Sequence, residues 1–301
     1  FLKDQDVKAM VIACNSASTV YLGEKSFEGI PLLNVIEPGC QALFKEGVLD
    51  MQKYWTLKSK PLAVPYDEAK EEVRRLLKNA VHKRLIADVE IGAFLSGGVD
   101  STLVAAYAQP DMTNKLKTFA LGYGDYINEL PFAQQAADAI GTDHHTLQAH
   151  ADLPHELERV MAYFDEPHGD SADLAQHLLS ERTAGTVKAA LAGDGGDELF
   201  LGYGWYWQYW HSSKLRRLWN AFFSNPFKEH LRNITVFSEA ERRKLFKDPS
   251  VVGHERIDKK VADVPGSGVQ KINLFDITTY LPGQLLSKVD QTSMMHSLEV
   301  R

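Results

Sequence analysis

The chain has 301 residues, of which 44% are hydrophobic and 24% charged, with a formal net charge of −7. That length allows two domains, or one large α/β domain with additions, in the composition range of a soluble globular protein. The acidic balance excludes a general nucleic-acid binder, no apolar run approaches a membrane span, and two cysteines, Cys14 and Cys40, make neither a disulfide framework nor a zinc site.

In chain order, Ala9 to Cys14 is a short apolar run, and Asn15 or Ser16 after it is placed to cap a helix. A second run, Ile30 to Ile36, ends at Glu37-Pro38-Gly39. Two such βα units predict part of a parallel sheet. Val11-Ile12-Ala13-Cys14-Asn15-Ser16-Ala17-Ser18, with Ile30-Pro31 and Val35-Ile36-Glu37-Pro38-Gly39, resembles the middle of a glutamate racemase across residues 1–47. The resemblance implies that Cys14 matches one of that family's two acid/base thiols. The second thiol segment, Gly-Cys-Thr-His, has no counterpart here, and racemisation needs both faces of the α-carbon served. Cys14 therefore reads as a buried packing residue.

Residues 48–65, with Tyr54-Trp55 and a Lys/Pro-bearing stretch, read as a linker. Asp67 and Glu68 open a helix whose apolar face carries Ala69, Val73, Leu76, Leu77, Ala80 and Val81. Its basic residues, among them Lys70, Arg74 and Arg75, read as a solvated face. Ile91 to Leu95 is then a buried strand, Ser96-Gly97-Gly98-Val99-Asp100-Ser101 a Gly-rich turn, and Thr102 to Tyr107 a helix start. Orphan N–H groups and the helix dipole converge at such a turn, making an anion site. Asp100 would repel a bare phosphate, so its presence points to Mg²⁺. The spacing is not that of a Walker A loop, and no lysine follows.

Lys117 to Gly122 predicts a second strand, Glu129 to Ile140 a helix stopped by Gly141, and His144 to Leu147 a third strand. Neighbours in a strand point to opposite faces, so His144 and His145 do not share an ion. Leu153 to Phe164 predicts a helix, and Ser171 a cap on the next, which runs to about Arg182. Val187 to Leu191 is a fourth strand, entering Ala192-Gly193-Asp194-Gly195-Gly196-Asp197-Glu198-Leu199-Phe200. Tyr203 to Trp210 is an aromatic stretch read as packing or an interface. Ser238 with Glu241 fits a capping box, and Leu274 to Arg301 reads as mostly helical. The alternation predicts an α/β fold, a doubly wound parallel sheet with a helical C-terminal part and an N-terminal βα fragment.

Three motifs now stand in order: Ser-Gly-Gly-Val-Asp-Ser at 96, Gly-Asp-Gly-Gly-Asp-Glu-Leu-Phe at 193, and Lys-Val-Asp through Ser-Leu-Glu-Val-Arg from 288 to 301. The first resembles the pyrophosphate loop of the ATP pyrophosphatase superfamily (PP-loop type). Together they resemble the synthetase domain of glutamine-hydrolysing asparagine synthetase, from about Tyr54 to Arg301. The resemblance implies three segments: racemase-like 1–47, linker 48–65 and synthetase-like 66–301. It implies attack of the aspartate side-chain carboxylate on ATP, giving β-aspartyl-AMP and pyrophosphate, and then displacement of AMP by ammonia. Asp100 and Asp197 match metal-linked positions, for Mg²⁺. Ser96, Gly97, Gly98 and Ser101 would cradle pyrophosphate, and Leu95, Leu121, Ala192 and Gly193 would line the nucleotide pocket.

Asp194 matches a position, often Glu, linked to acid/base work on the attacking amine; a turn or N-cap role for it stays open. Asp165, Glu166 and Asp170 match a segment bordering the aspartate site. The implied partners are aspartate, ATP and ammonia, with a separate glutaminase domain or subunit and a homodimer both compatible, and the compartment is cytoplasmic. Phe1 is no initiator, and the chain stops before the family's pyrophosphate-contacting lysine. It therefore reads as a fragment or joined gene product with impaired synthesis. The alternatives are a non-catalytic nucleotide-binding remnant and a racemase fragment. β-Lactam synthetases share the architecture, which leaves the carboxylate substrate open.

Overall fold

Short apolar runs that each end in a turn and feed a helix build the central sheet, because a strand buried on both faces needs no alternation and a parallel neighbour needs a crossover. The computed structural model describes residues 10–12, 26–27, 30–34, 57, 62–122, 128–149, 153–164, 168–211, 227, 230–231, 234–235, 237–247, 264 and 268–301. The chain divides into two compact units, Phe1–Lys58 and Ser59–Arg301. In the first, β1 (Met10–Ile12) pairs parallel with β3 (Ile30–Asn34), and β2 (Ser26–Phe27) pairs antiparallel with β3. Cys14, Asn15 and Ser16 lie outside the described residues.

The second unit holds five strands: β4 (Ile91–Phe94), β5 (Lys117–Gly122), β6 (Asp143–Gln148), β7 (Ala189–Leu191) and β8 (Glu299–Val300). Their order is β6-β5-β4-β7-β8, and every pair is parallel. The sheet thus grows outward from β4 in one direction, then returns to β4 and grows in the other. This is the doubly wound α/β arrangement that the alternation predicted, and its reversal falls between β4 and β7.

Helices cover both faces. α1 (Tyr66–Arg84), α2 (Val99–Ala108) and α3 (Leu130–Ile140) send Val81, Ala105, Ala108 and Ala137 against Ile91, Ala93, Leu95, Ala189 and Leu191. α4 (Leu153–Tyr163) packs on α5 (Ala172–Ala184), and α5 presents Ala184 to Phe94, Phe119 and Ala190 on the opposite face. Along β4 and β7 the side chains alternate between these two clusters, as the pleat requires. The paired histidines separate the same way. His144 Nδ1 bonds the Thr118 hydroxyl at 2.9 Å, while His145 stacks on Phe119 with centroids 5.2 Å apart. α3 ends at Gly141, whose φ of +84° lets its N–H reach the Ala137 carbonyl. On α1, Lys70, Arg74 and Arg75 pair with Asp67, Glu71 and Glu72 one turn earlier, all exposed, and such pairs add little stability.

Beyond the sheet come α6 (Gly196–Phe200), α7 (Gly204–His211), α8 (Glu239–Leu245) and α9 (Gly268–Phe275). A π-helical segment (Asp276–Leu286) and α10 (Ser287–Met294) follow. The first part of the aromatic stretch is packing: Tyr203 stacks on Trp205 at 4.1 Å, and Tyr206 is buried against Phe227, Ile272 and Phe275, while Trp207 is exposed. Buried Asp276 accepts from the Tyr206 hydroxyl and pairs with His230 Nε2 at 2.7 Å. The capping box of α8 forms as predicted: the Glu241 N–H donates to Ser238 Oγ at 3.3 Å and the Ser238 N–H to Glu241 Oε2 at 2.8 Å. Ser238→Ala is expected to cost about 1 kcal/mol, read as a lower urea midpoint at unchanged slope.

Two local expectations are corrected and a third is refined. The helix after the first Gly-rich turn begins at Val99, not Thr102, because Gly98 takes the extended N-cap conformation. Ser171 makes no capping bond; Asp170 Oδ1 instead accepts the Ala172 N–H at 2.9 Å, an Asx turn that outcompetes the hydroxyl. The C-terminal segment is not helical to its end. Glu299–Val300 joins the sheet edge beside β7, and Arg301 Nη1 donates to the Arg84 and Ile86 carbonyls at 2.8 and 2.9 Å.

Candidate active site

Ligands of doubly wound sheets bind beyond the strands' carboxyl ends where the order reverses. Here that place is the gap between the ends of β4 and β7, from which the two Gly-rich turns emerge. Leu95, the last residue before the first turn, is buried and donates its N–H to the Phe119 carbonyl at 2.9 Å. Gly97 then takes a φ of +83°. A Cβ on it would stand 2.7 Å from the Ala133 nitrogen, so the turn passes directly over the start of α3. Ser96 and Ser101 close the loop with their hydroxyls 3.0 Å apart, and the Gly98 N–H donates to Ser96 Oγ at 3.2 Å. The result is an exposed rim of hydroxyls and N–H groups at the N-terminus of α2.

The second turn lies against the first. A Cβ on Gly193 would fall 2.9 Å from the Ser101 nitrogen, and one on Gly196 would fall 2.5 Å from Asp100 Cγ. The Asp100 carboxylate therefore rests on the Gly196 backbone, one residue before Asp197. A Cβ on Gly202 would likewise overlap Asp197 Oδ1, so both carboxylates occupy cradles that only glycine leaves open. Partial burial pushes the Asp100 carboxyl up, and the charge of Asp197 pushes it further. Two carboxylates near enough for one to raise the proton affinity of the other supply the hard oxygen donors that fit Mg²⁺.

Ala192, whose N–H donates to the Arg301 carbonyl at 3.0 Å, and Leu121 are half-buried beside the turns. Asp194 opens to solvent, yet the chain crowding it pushes its carboxyl up, with Lys288 pulling the other way. Asp165 and Glu166 lie outside the described residues. Asp170 is described, and Lys288 Nζ donates to its Oδ2 at 2.9 Å. Burial opposes ionisation of Asp170, but Lys288, the Ala172 N–H and Gln284 together hold it below the usual carboxylate range. Asp173, beside this pair and bonded to His168 Nδ1 at 2.7 Å, is pushed up by its own burial.

Lys288, which opens the third motif, thus enters the candidate site although the sequence reading gave it no role. It lies 118 positions from Asp170 in the sequence and meets it through the packing of α10 on α5. Its signal was a lysine opening the third motif, which spacing alone does not distinguish from a surface charge. Lys288→Met should cost about 1–3 kcal/mol, because it strands a carboxylate that is only partly solvated. The sign with pH follows from Asp170, whose folded-state affinity for a proton is lowered. Its contribution is present at pH 7 and is lost as pH falls below about 4. Urea melts of the two proteins should therefore stay apart from pH 7 down to about pH 4 and converge only below it.

A cavity of about 650 Å³ adjoins the turns. Asp100, Ala192, Gly193 and Asp194 border it, but its walls are mostly apolar, from Val73 and Leu77 of α1 to Leu103 of α2 and Leu281 of the π-helix. Ser96, Gly97, Gly98, Ser101 and Leu121 do not line it. The cavity and the polar rim meet at Asp100 and the second turn and are otherwise lined by different residues. Glu198, from the second motif, is buried, accepts the Tyr203 hydroxyl at 2.6 Å and fixes the turn to the aromatic cluster rather than facing the rim.

The family model for asparagine synthase matches residues 72–301. The glutamine-hydrolysing asparagine synthetase 1 of Bacillus subtilis is 25% identical over 296 residues, which is 88% of this chain and 47% of that protein. Asparagine synthetase 3 of the same organism is 25% identical over 100% of this chain and 51% of its own length. A Pongo abelii asparagine synthetase is 30% identical over 53% of this chain and 32% of its own length. The chain spans about half the length of the first two. Among solved structures, an NH3-dependent NAD synthetase from Campylobacter jejuni aligns over 76% of this chain and 96% of its own at 13% identity and a TM-score of 0.34, a level that bears no weight.

Proposed function

The chain belongs to the asparagine synthase family, and from that premise we propose that it is the ligase module of an ATP-dependent asparagine synthesis. In the proposed reaction an aspartate side-chain carboxylate oxygen attacks the α-phosphorus of ATP, and the bond to the β-phosphate oxygen breaks. The products are β-aspartyl-AMP and pyrophosphate. Ammonia, free or supplied by a glutaminase partner, then adds to the acyl carbon, loses a proton, and AMP departs.

The observation that carries this reading is the contact between the two Gly-rich turns at the reversal of strand order, with the Asp100 carboxylate seated on Gly196. Ser96, Gly97, Gly98 and Ser101 bind and orient the departing pyrophosphate through hydroxyls and N–H groups at the start of α2. Such donors, fixed before the reaction, favour the charge that grows on the leaving group. Asp100 and Asp197 hold Mg²⁺, which when bound offsets the repulsion between an attacking carboxylate and a polyphosphate. Asp194, exposed beside the turn and electrostatically coupled to Lys288, takes the proton that ammonia loses in this reading. Lys288, bonded to Asp170 and coupled to Asp173 and Asp194, offsets part of the negative charge of that corner.

The test is product analysis of the full chain with ATP, Mg²⁺, L-aspartate and ammonium. The expected result is AMP and pyrophosphate in equal amounts, with asparagine formed in step. ADP and phosphate, or bound nucleotide with no aspartate-dependent turnover, would overturn it; the second outcome is the nucleotide-binding remnant.

A further inference from the structure

Away from the Gly-rich turns, two histidines and three charged groups meet where the end of α10 turns back toward β8. His177 of α5 is fully buried, and its Nδ1 lies 2.9 Å from Nε2 of His296. Its other ring nitrogen, Nε2, lies 2.9 Å from Glu156 Oε2 of α4. A carboxylate only accepts, so a neutral His177 carries its proton on Nε2 and presents a bare lone pair at Nδ1. His296 must then be the donor in the contact between the rings. Glu181, one turn beyond His177, completes a set whose ligand atoms all lie within 4.8 Å of one another.

We propose that His177 Nδ1, His296 Nε2 and a carboxylate oxygen of Glu181 form a binding site for one divalent transition metal of the zinc class, separate from the acidic pair Asp100 and Asp197. Zinc bound to two imidazoles at about 2.1 Å in tetrahedral geometry holds their nitrogens about 3.4 Å apart, so the rings need part by only about half an ångström. His296 moves its proton from Nε2 to Nδ1 and offers the freed lone pair, which leaves its charge unchanged. Glu156 plays the outer part that carboxylates play behind zinc-bound histidines, fixing the ring of His177 and raising its basicity. Imidazole nitrogens with one carboxylate select zinc over magnesium, whose preference is for oxygen alone.

The competing cation is Arg159, which bonds Glu156 at 2.7 Å and stands 3.5 Å from Glu181. The side chains of Arg159 and Glu181 are 37% and 33% exposed, so Glu181 is free to exchange the guanidinium for a metal while Arg159 stays on Glu156. The ion would clamp α5 to the turn that leads into β8, and through β8 to the edge of the sheet beside β7. Counting cysteines overlooks such a site, because none of its ligands is a cysteine.

The probe is Co²⁺ added to the untagged, chelator-treated full chain in excess Mg²⁺, which keeps the acidic pair occupied. The expected result is a visible absorption band of four-coordinate intensity that saturates at one equivalent and is abolished by Zn²⁺. Glu181→Ala and His296→Ala, both at partly exposed positions, should each weaken Co²⁺ binding at least about tenfold, and Glu156→Gln by about tenfold through the orientation of His177. Zn²⁺ should also raise the Tm of the parent chain by a few degrees and leave that of His296→Ala unmoved. No saturable band, or a band that Glu181→Ala and His296→Ala leave intact, overturns the proposal and leaves the pair of rings as a hydrogen-bonded relay.

Discussion

Asp100→Asn is expected to lower aspartate-dependent formation of AMP and pyrophosphate by about 10²–10³-fold, the usual cost of losing one fixed electrostatic group at a charge-developing centre. Asp197→Asn should do the same. The loss is not one of folding. Burial and the neighbouring charge raise the proton affinity of Asp100 in the folded chain, so its ionised form opposes folding at neutral pH. The sign follows: the penalty is absent below the unfolded carboxyl pKa of about 3.9 and grows as pH rises through the higher folded value. The metal-free Asp100→Asn protein should therefore melt above the parent at pH 7, and the gap should close as the pH is lowered toward 4. Mg²⁺ with ATP should stabilise the parent and not the variant. Inactivity with a lowered Tm at pH 7 would instead make Asp100 a structural residue.

Gly97→Ala should have the largest effect on folding of any single methyl added to the site. The residue sits at φ +83°, where a side chain costs about 1–2 kcal/mol. The new Cβ would also meet the backbone of Phe132 and Ala133, which has no rotamer to yield, and overpacking of that kind costs about 1–3 kcal/mol more. Gly98→Ala is the control. Its φ is −68°, and its nearest neighbour would be Ser96 Oγ at 3.3 Å, the end of a side chain that turns aside. Urea midpoints should fall steeply for Gly97→Ala and little for Gly98→Ala. Equal losses would mean that the turn fails for a reason other than its left-handed residue.

What the sequence made legible was local. Ile91 to Leu95 is an apolar run with a Gly pair behind it, and nothing but a buried strand and a tight turn satisfies both signals. The same holds for β7 and the second turn, and βα alternation then leaves few ways to order a parallel sheet. β8 was not legible: Glu299–Val300 is too short to show a period, and it becomes a strand only because the edge of β7 offers partners more than a hundred residues away. The segment from Asp276 to Leu286 was legible as helix, but its wider π turn around Pro282 leaves no mark in the sequence pattern. In the site, Asp100 and Asp197 could be named from their motifs because glycines mark both turns. Lys288 had no such marker, and its meaning comes from packing against Asp170. The terminal Leu-Glu-Val-Arg motif, which resembles functional sequence, stitches the sheet edge to the end of α1 through Arg301.

The claim beneath all of this is that Asp100 and Asp197 act on one cation rather than two. Mn²⁺ binding, followed by electron paramagnetic resonance in the presence of α,β-methylene-ATP, measures that directly across the parent, the two single Asn variants and the double. One shared ion predicts a single tight site, weakened about tenfold or more by either substitution, with the double variant little worse than the single ones. Losses that multiply in the double variant, or a single substitution that leaves the tight site intact, would contradict it.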